Sequence, residues 1–240
     1  FYQLQGAVHA AGWYAQIPAE WQIALAGTYM SGFASNAPIN KRSSMGPSAF
    51  VVEHQQFAQS SDLSVATVPL MDYDLTNKLH EDNYNEEGQN DLWTEVSRAG
   101  VGFIIPNTAT YAVFGSSGGH GEKGIGYKIT QDDGNLCPGP CAFVADDYYN
   151  HYWLYDVNDM LKVKNGEMQP YEVRPYEYGQ LEVPFQTNVR TGEDELHTIN
   201  GGSYDAASNT LYLSLRKGDT EHEFKAPPVI LAYSINSPTE

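Results

Sequence analysis

Short runs of apolar and aromatic residues recur along the chain, each bounded by Gly, Asn, Ser or Pro. Tyr111-Ala112-Val113-Phe114, Leu211-Tyr212-Leu213-Ser214-Leu215 and the stretch from Val229 to Ile235 are the clearest. Runs this short, closed at both ends by turn residues, predict β-strands. Helical periodicity is confined to Pro18-Ala19-Glu20-Trp21-Gln22-Ile23-Ala24-Leu25 and Asn158-Asp159-Met160-Leu161-Lys162-Val163. The first opens with Pro at a first-turn position and stops at Gly27, which suits a short helix. Both are expected as surface decorations between strands.

The strands repeat. Gly102-Phe103-Ile104-Ile105 leads through a polar turn to Tyr111-Ala112-Val113-Phe114, and Gly201-Gly202-Ser203-Tyr204 leads likewise to Leu211-Tyr212-Leu213-Ser214. An aliphatic-Tyr strand follows each pair, at Trp153-Leu154-Tyr155-Asp156-Val157 and at Ile230 to Ile235. A looser third copy starts near Val8, with Ala49-Phe50-Val51-Val52-Glu53 as an outer strand. A four-stranded meander cannot bury both faces alone, and radial stacking of such units solves that problem. The expected fold is therefore all-β, of propeller-like blades of antiparallel four-stranded sheet, with units near 8–75, 97–160 and 198–236. Propellers commonly have about four to eight blades. Three units predict an incomplete ring, completed by sequence outside this chain or by another chain. The chain begins at Phe1 without a leader sequence, which is expected of a mature product or a fragment.

Charge and cysteines narrow the class. Thirty acidic and 13 basic residues give a formal charge of -17. That balance repels phosphate backbones, so no nucleic acid is expected as a partner. No apolar run approaches the roughly 20 residues that span a bilayer. The two cysteines stand at Cys137-Pro138-Gly139-Pro140-Cys141. Two thiols are half a zinc site, and three intervening residues are one too many for a redox C-x-x-C. A local disulfide in an oxidising compartment is the best reading, with two free thiols as the alternative. No Asn-x-Ser/Thr sequon occurs, which favours a bacterial exterior or periplasm.

Several segments together resemble the C-terminal part of a group of uncharacterised secreted bacterial proteins. They are Ile17-Pro18-Ala19-Glu20-Trp21-Gln22, Gly46-Pro47-Ser48-Ala49-Phe50, Val113-Phe114-Gly115 with His120-Gly121, Trp153 through Asp159, Val173-Arg174-Pro175-Tyr176 and Gly202-Ser203-Tyr204-Asp205. The resemblance covers most of the chain. It implies a propeller-like fold and a secreted location, and it implies no particular chemistry.

The candidate chemistry lies in two neighbouring stretches. Ser116 to Tyr127 is Gly-rich and holds His120, a residue able to act as a base near neutral pH. It lacks the Gly-Lys-Ser/Thr ending of a phosphate-binding loop. No Gly-x-Ser-x-Gly elbow accompanies it, so a Ser-His-Asp hydrolase is not supported. Asp146 to Trp153 carries His151 among aromatics, and Tyr148, Tyr149 and Trp153 offer faces for sugar rings. A lyase acting on uronate sugars would draw its acid, base and carboxylate neutraliser from His120, His151, Tyr127, Tyr149 and Arg98 or Arg42. Asp132, Asp133, Asp146 and Asp147 are hard oxygen donors suited to Ca2+, without the spacing of an EF-hand loop. The leading expectation is a secreted, non-catalytic binding or structural protein that recognises glycans or another extracellular component and needs no cofactor. A polysaccharide lyase-like enzyme and a subunit of a larger extracellular assembly are the alternatives.

Overall fold

The computed structural model describes residues 3–10, 12–35, 44–59, 64–184, 190–191, 195–219 and 227–235. Three antiparallel sheets form the body. The first runs Trp13–Gln16, Tyr29–Gly32, Ala49–Val52, Thr67–Met71 in spatial as in chain order. The central sheet is a meander of Arg98–Ile104, Thr110–Gly118, Tyr148–Asp156 and Pro175–Gln180, with Ala34–Ser35 added beside Arg98–Ile104. The third is Ile199–Asp205, Thr210–Leu215, Val229–Ser234. The sheets form no closed barrel or ring among the described residues.

Alternation divides the core into two layers, because successive residues of a strand face opposite sides. Tyr111, Val113, Trp153 and Tyr155 of the central sheet join Leu25, Met30, Leu70 and Met160 in one cluster. Val101 and Phe103 join Ile199, Leu211, Leu213, Leu215 and Leu231 in the other. Complete burial of one such side chain is worth roughly 1.5–3 kcal/mol.

The sheets meet mainly through Arg98–Ile104, which lies against Ile199–Asp205 and Trp13–Gln16. Their closest approach needs glycine. A Cβ on Gly100 would lie 2.7 Å from the backbone of Asn200 and Gly201. Gly100 is also the extra residue of a β-bulge: Ala99 pairs with Gly115, and Val101 with Phe114. A bulge inserts one residue opposite the partner strand and shifts the alternation. Arg98 and Val101 therefore share the face of Ser116 and Phe114.

Four expectations change. The helices form at Ala19–Leu25 and Val157–Lys164, but they are not decorations. Leu25, Val157 and Met160 are fully buried in the first core cluster. Ala49–Val52 is an interior strand, buried along its whole length between two neighbours, and not an outer one. The central sheet ends at Gln180, past the 160 boundary, because the second helix packs back before the fourth strand forms. The third sheet has three strands among the described residues instead of four. Arg42 lies outside the described residues.

Candidate functional site

Two polar sites lie on opposite faces of the central sheet. The first gathers His120, His151, Ser117 and Tyr149. Ser117 pairs with Tyr149 and Gly115 with His151, so all four positions share one face. Ser117 Oγ lies 2.7 Å from His120 Nε2, and His120 Nδ1 lies 2.7 Å from the Asn90 carbonyl oxygen. A carbonyl only accepts, so Nδ1 carries the proton and, in the neutral ring, Nε2 accepts from Ser117. Ser97 Oγ, 2.6 Å from Ser117 Oγ, accepts from the Thr94 amide and extends the chain. Asn90 is fixed in turn, its Nδ2 donating to the carbonyls of Asp82 and Trp93.

This is the order of a nucleophile, a base and an orienting group, but Ser117 is 1% exposed. A nucleophile must meet its substrate, and this hydroxyl is sealed. Both ring nitrogens of His120 are engaged inside the protein. The arrangement pins the His120 loop to the sheet.

His151 is 2% exposed, with ring centroids 4.5 Å from Trp153 and 5.8 Å from His120. Burial first, and then the neighbouring His120, push its pKa down to about 3. Its Nδ1 donates to the Tyr152 carbonyl at 3.1 Å. Burial, and then Asp147, push the Tyr149 hydroxyl up to about 12.

The other sequence candidates separate. Trp153 is fully buried, its ring centroid 4.9 Å from that of Trp93 and its Nε1 donating to the Leu92 carbonyl. It offers no face to a sugar. Tyr148 pairs with Gly118, one step from the Tyr149 pairing, so the two tyrosines face opposite ways and share no platform. The Tyr148 hydroxyl accepts from the Ala142 amide. Tyr127 is exposed on the small Ile125–Tyr127 hairpin strand, beneath the Lys128 ammonium. Arg98 lies across the sheet from His120 and His151.

Asp132 accepts from the Ala145 amide, Asp133 from Asn135 and Asp147 from Gly121, and Asp146 is exposed. These carboxylates brace turns. Among the described residues no group of three His, Cys, Asp or Glu is placed to hold a metal. The Cys137 and Cys141 sulfurs lie at bonding distance, with Cα atoms 6.5 Å apart. No helix among the described residues is long and apolar enough to cross a membrane.

The second site is a cleft of about 400 Å3, lined among others by Trp13, Phe33, Arg98, Ser116, Asn200 and Arg216. All three first strands contribute to it. The Asn150 side-chain oxygen accepts from the Ile199 amide and ties the third sheet to the central one. The Arg216 amide donates to the Thr198 carbonyl, which fixes Arg216 at the rim. Among the described residues neither Arg98 nor Arg216 has an ion-pair or side-chain hydrogen-bond partner. Partial withdrawal from solvent, and then Arg216, hold the Arg98 guanidinium below its usual pKa. Another cavity, of about 440 Å3, lies between Ile17, Gln22, Phe103 and Tyr204. Its one carboxylate, Asp205, is already hydrogen-bonded to Ser208.

Sequence reasoning missed Arg216 altogether. Its one signal is its place just after a strand, in a chain with few cations. No protein family, curated protein or solved structure matches the chain.

Proposed function

We propose that this chain is a non-catalytic binding protein of the cell exterior, built of propeller-like blades, which takes a glycan in the cleft between its first strands. The carrying observation is that one cleft is lined by the first strands of all three sheets. Strands follow chain order within each sheet, and the first strands make most of the contacts between sheets. Blades set around an axis place their strands in this way. A site shared by several elements is a common place for a ligand. Ser116 and Asn200 supply polar groups for sugar hydroxyls, and Phe33 supplies apolar surface. The Cys137–Cys141 pair fits an oxidising compartment.

The histidines support this reading through what they are engaged in. A lyase needs a free base and a cation in one cleft. Here the histidines are packed and hydrogen-bonded on one face, with the arginines on the other. The test is an oligosaccharide array probed with the wild-type protein and with Asn200→Trp, which fills the cleft from an exposed position. Oligosaccharide binding that disappears in the variant is expected. Absence of binding, or binding indifferent to the blocked cleft, would overturn the proposal.

A further inference from the structure

Thirteen cationic side chains serve a protein of 240 residues with formal charge -17. Two of them, Arg98 and Arg216, line one cleft and have no carboxylate partner among the described residues. In an acidic protein, acceptors for a guanidinium are plentiful. Two that line one cleft without one among the described residues repel. The fold holds them there by specific means. The Gly100 bulge sets Arg98 on the cleft face, and the Arg216 amide is tied to Thr198. The Ile199 amide, tied to Asn150, fixes the wall between them.

We propose that the cleft binds a carboxylate-bearing sugar, with Arg98 and Arg216 gripping the carboxylate and Ser116 and Asn200 meeting the neighbouring hydroxyls; this rests on the glycan-binding reading above. A guanidinium presents donors in a planar fork that matches a carboxylate, and paired arginines recur where such groups are recognised. The overall charge narrows the choice of anion. A polyphosphate would meet repulsion along its length from the acidic surface. A single carboxylate within the cleft feels mainly the two arginines, because salt screens exposed charges beyond about 8 Å at physiological ionic strength. Ser116 Oγ and the Asn200 amide add neutral donors and acceptors, as a sugar ring requires.

The test measures binding by calorimetry of oligosaccharides that carry a single terminal galacturonate, glucuronate or guluronate on an otherwise neutral chain, each beside the fully neutral oligomer of matching length. Wild type should bind at least one acidic oligomer tenfold or more tightly than its neutral counterpart, and higher salt should weaken that binding. Arg216→Gln and Arg98→Gln should each remove the preference. Arg216 stands exposed after the end of its strand, so the first variant keeps the fold. Lys123→Gln, with the same change in charge on an exposed loop, should leave affinity unchanged. Equal binding of acidic and neutral oligomers, or a preference indifferent to both arginine variants, would overturn the carboxylate assignment and leave glycan binding intact. No binding of any oligomer would overturn both.

Discussion

His151 carries a pronounced pH signature in the acid range. Its folded pKa, about 3, lies below the ordinary histidine value of 6.5, so the unfolded chain binds the extra proton between these limits. The resulting stability is present above pH 6.5 and is lost as pH falls toward 3. The slope within that window is at most about 1.4 kcal/mol per pH unit. His9 works in the opposite direction. Its hydrogen bond to Asp72 raises its pKa, so its contribution is present below pH 6.5 and fades above. Urea unfolding from pH 7 to pH 4 should show a loss of stability in wild type that is reduced in His151→Phe. Equal slopes in the two proteins would contradict the buried neutral ring. At this scale the sequence singled out His120 and His151, because a His among glycines or aromatics is visible in a string of letters, and it did not single out His9. It did not reveal what they touch. His120 finds its partner in the Asn90 carbonyl, and a backbone atom thirty residues away leaves no mark in a local pattern.

Elements were more legible than sites. The two repeated hairpins, from Arg98 to Gly118 and from Ile199 to Leu215, appear where the repeat places them. Each turn carries an asparagine at positive φ, Asn107 at 60° and Asn209 at 51°. Asn tolerates that conformation, and a β-branched residue does not. Asn107→Val should therefore cost about 1–2 kcal/mol, and Asn107→Gly should be close to neutral, as thermal unfolding will report. Helix burial was misjudged because a segment of about two turns has too few positions to display its apolar face. The face appears only once Val157, Met160 and Val163 are seen against the sheet. The His120 loop is held by one chain of hydroxyls. Ser117→Ala would leave His120 Nε2 without its donor and should cost about 1–3 kcal/mol. Amide exchange should accelerate from Gly119 to Ile125 while the Tyr148–Asp156 strand keeps its protection.

At the scale of the molecule, reduction of the Cys137–Cys141 pair should have a modest effect. A loop this short gains about 2 kcal/mol from cross-linking in the chain-entropy account. The pair sits on the small hairpin of Ile125–Tyr127 and Pro140–Ala142, apart from both core clusters. Reductant should lower the melting temperature by about 4–8 °C, and a collapse of the whole fold would show that the hairpin holds the sheets together. The all-β class was legible from alternation and turn residues alone. The cleft was not, since Arg98 and Arg216 stand far apart in sequence and are joined only by the approach of two first strands.

Gly100 gives that approach a consequence for how the sequence can change. Substitution there meets backbone. Flattening the bulge with the residue kept would do something different, since the bulge sets the phase of everything before it in the strand. In an unbroken ladder of the same length Gly100 would pair with Gly115, and Arg98 would fall into step with Ser117 on the other face, while the cleft lost one of its two arginines. A strand is usually thought tolerant of small slips at its ends. Here the loss of the bulge would keep every letter and exchange the two sides of the strand's first residues, so the backbone conformation at this point should be held more strictly than the identity of most side chains around it.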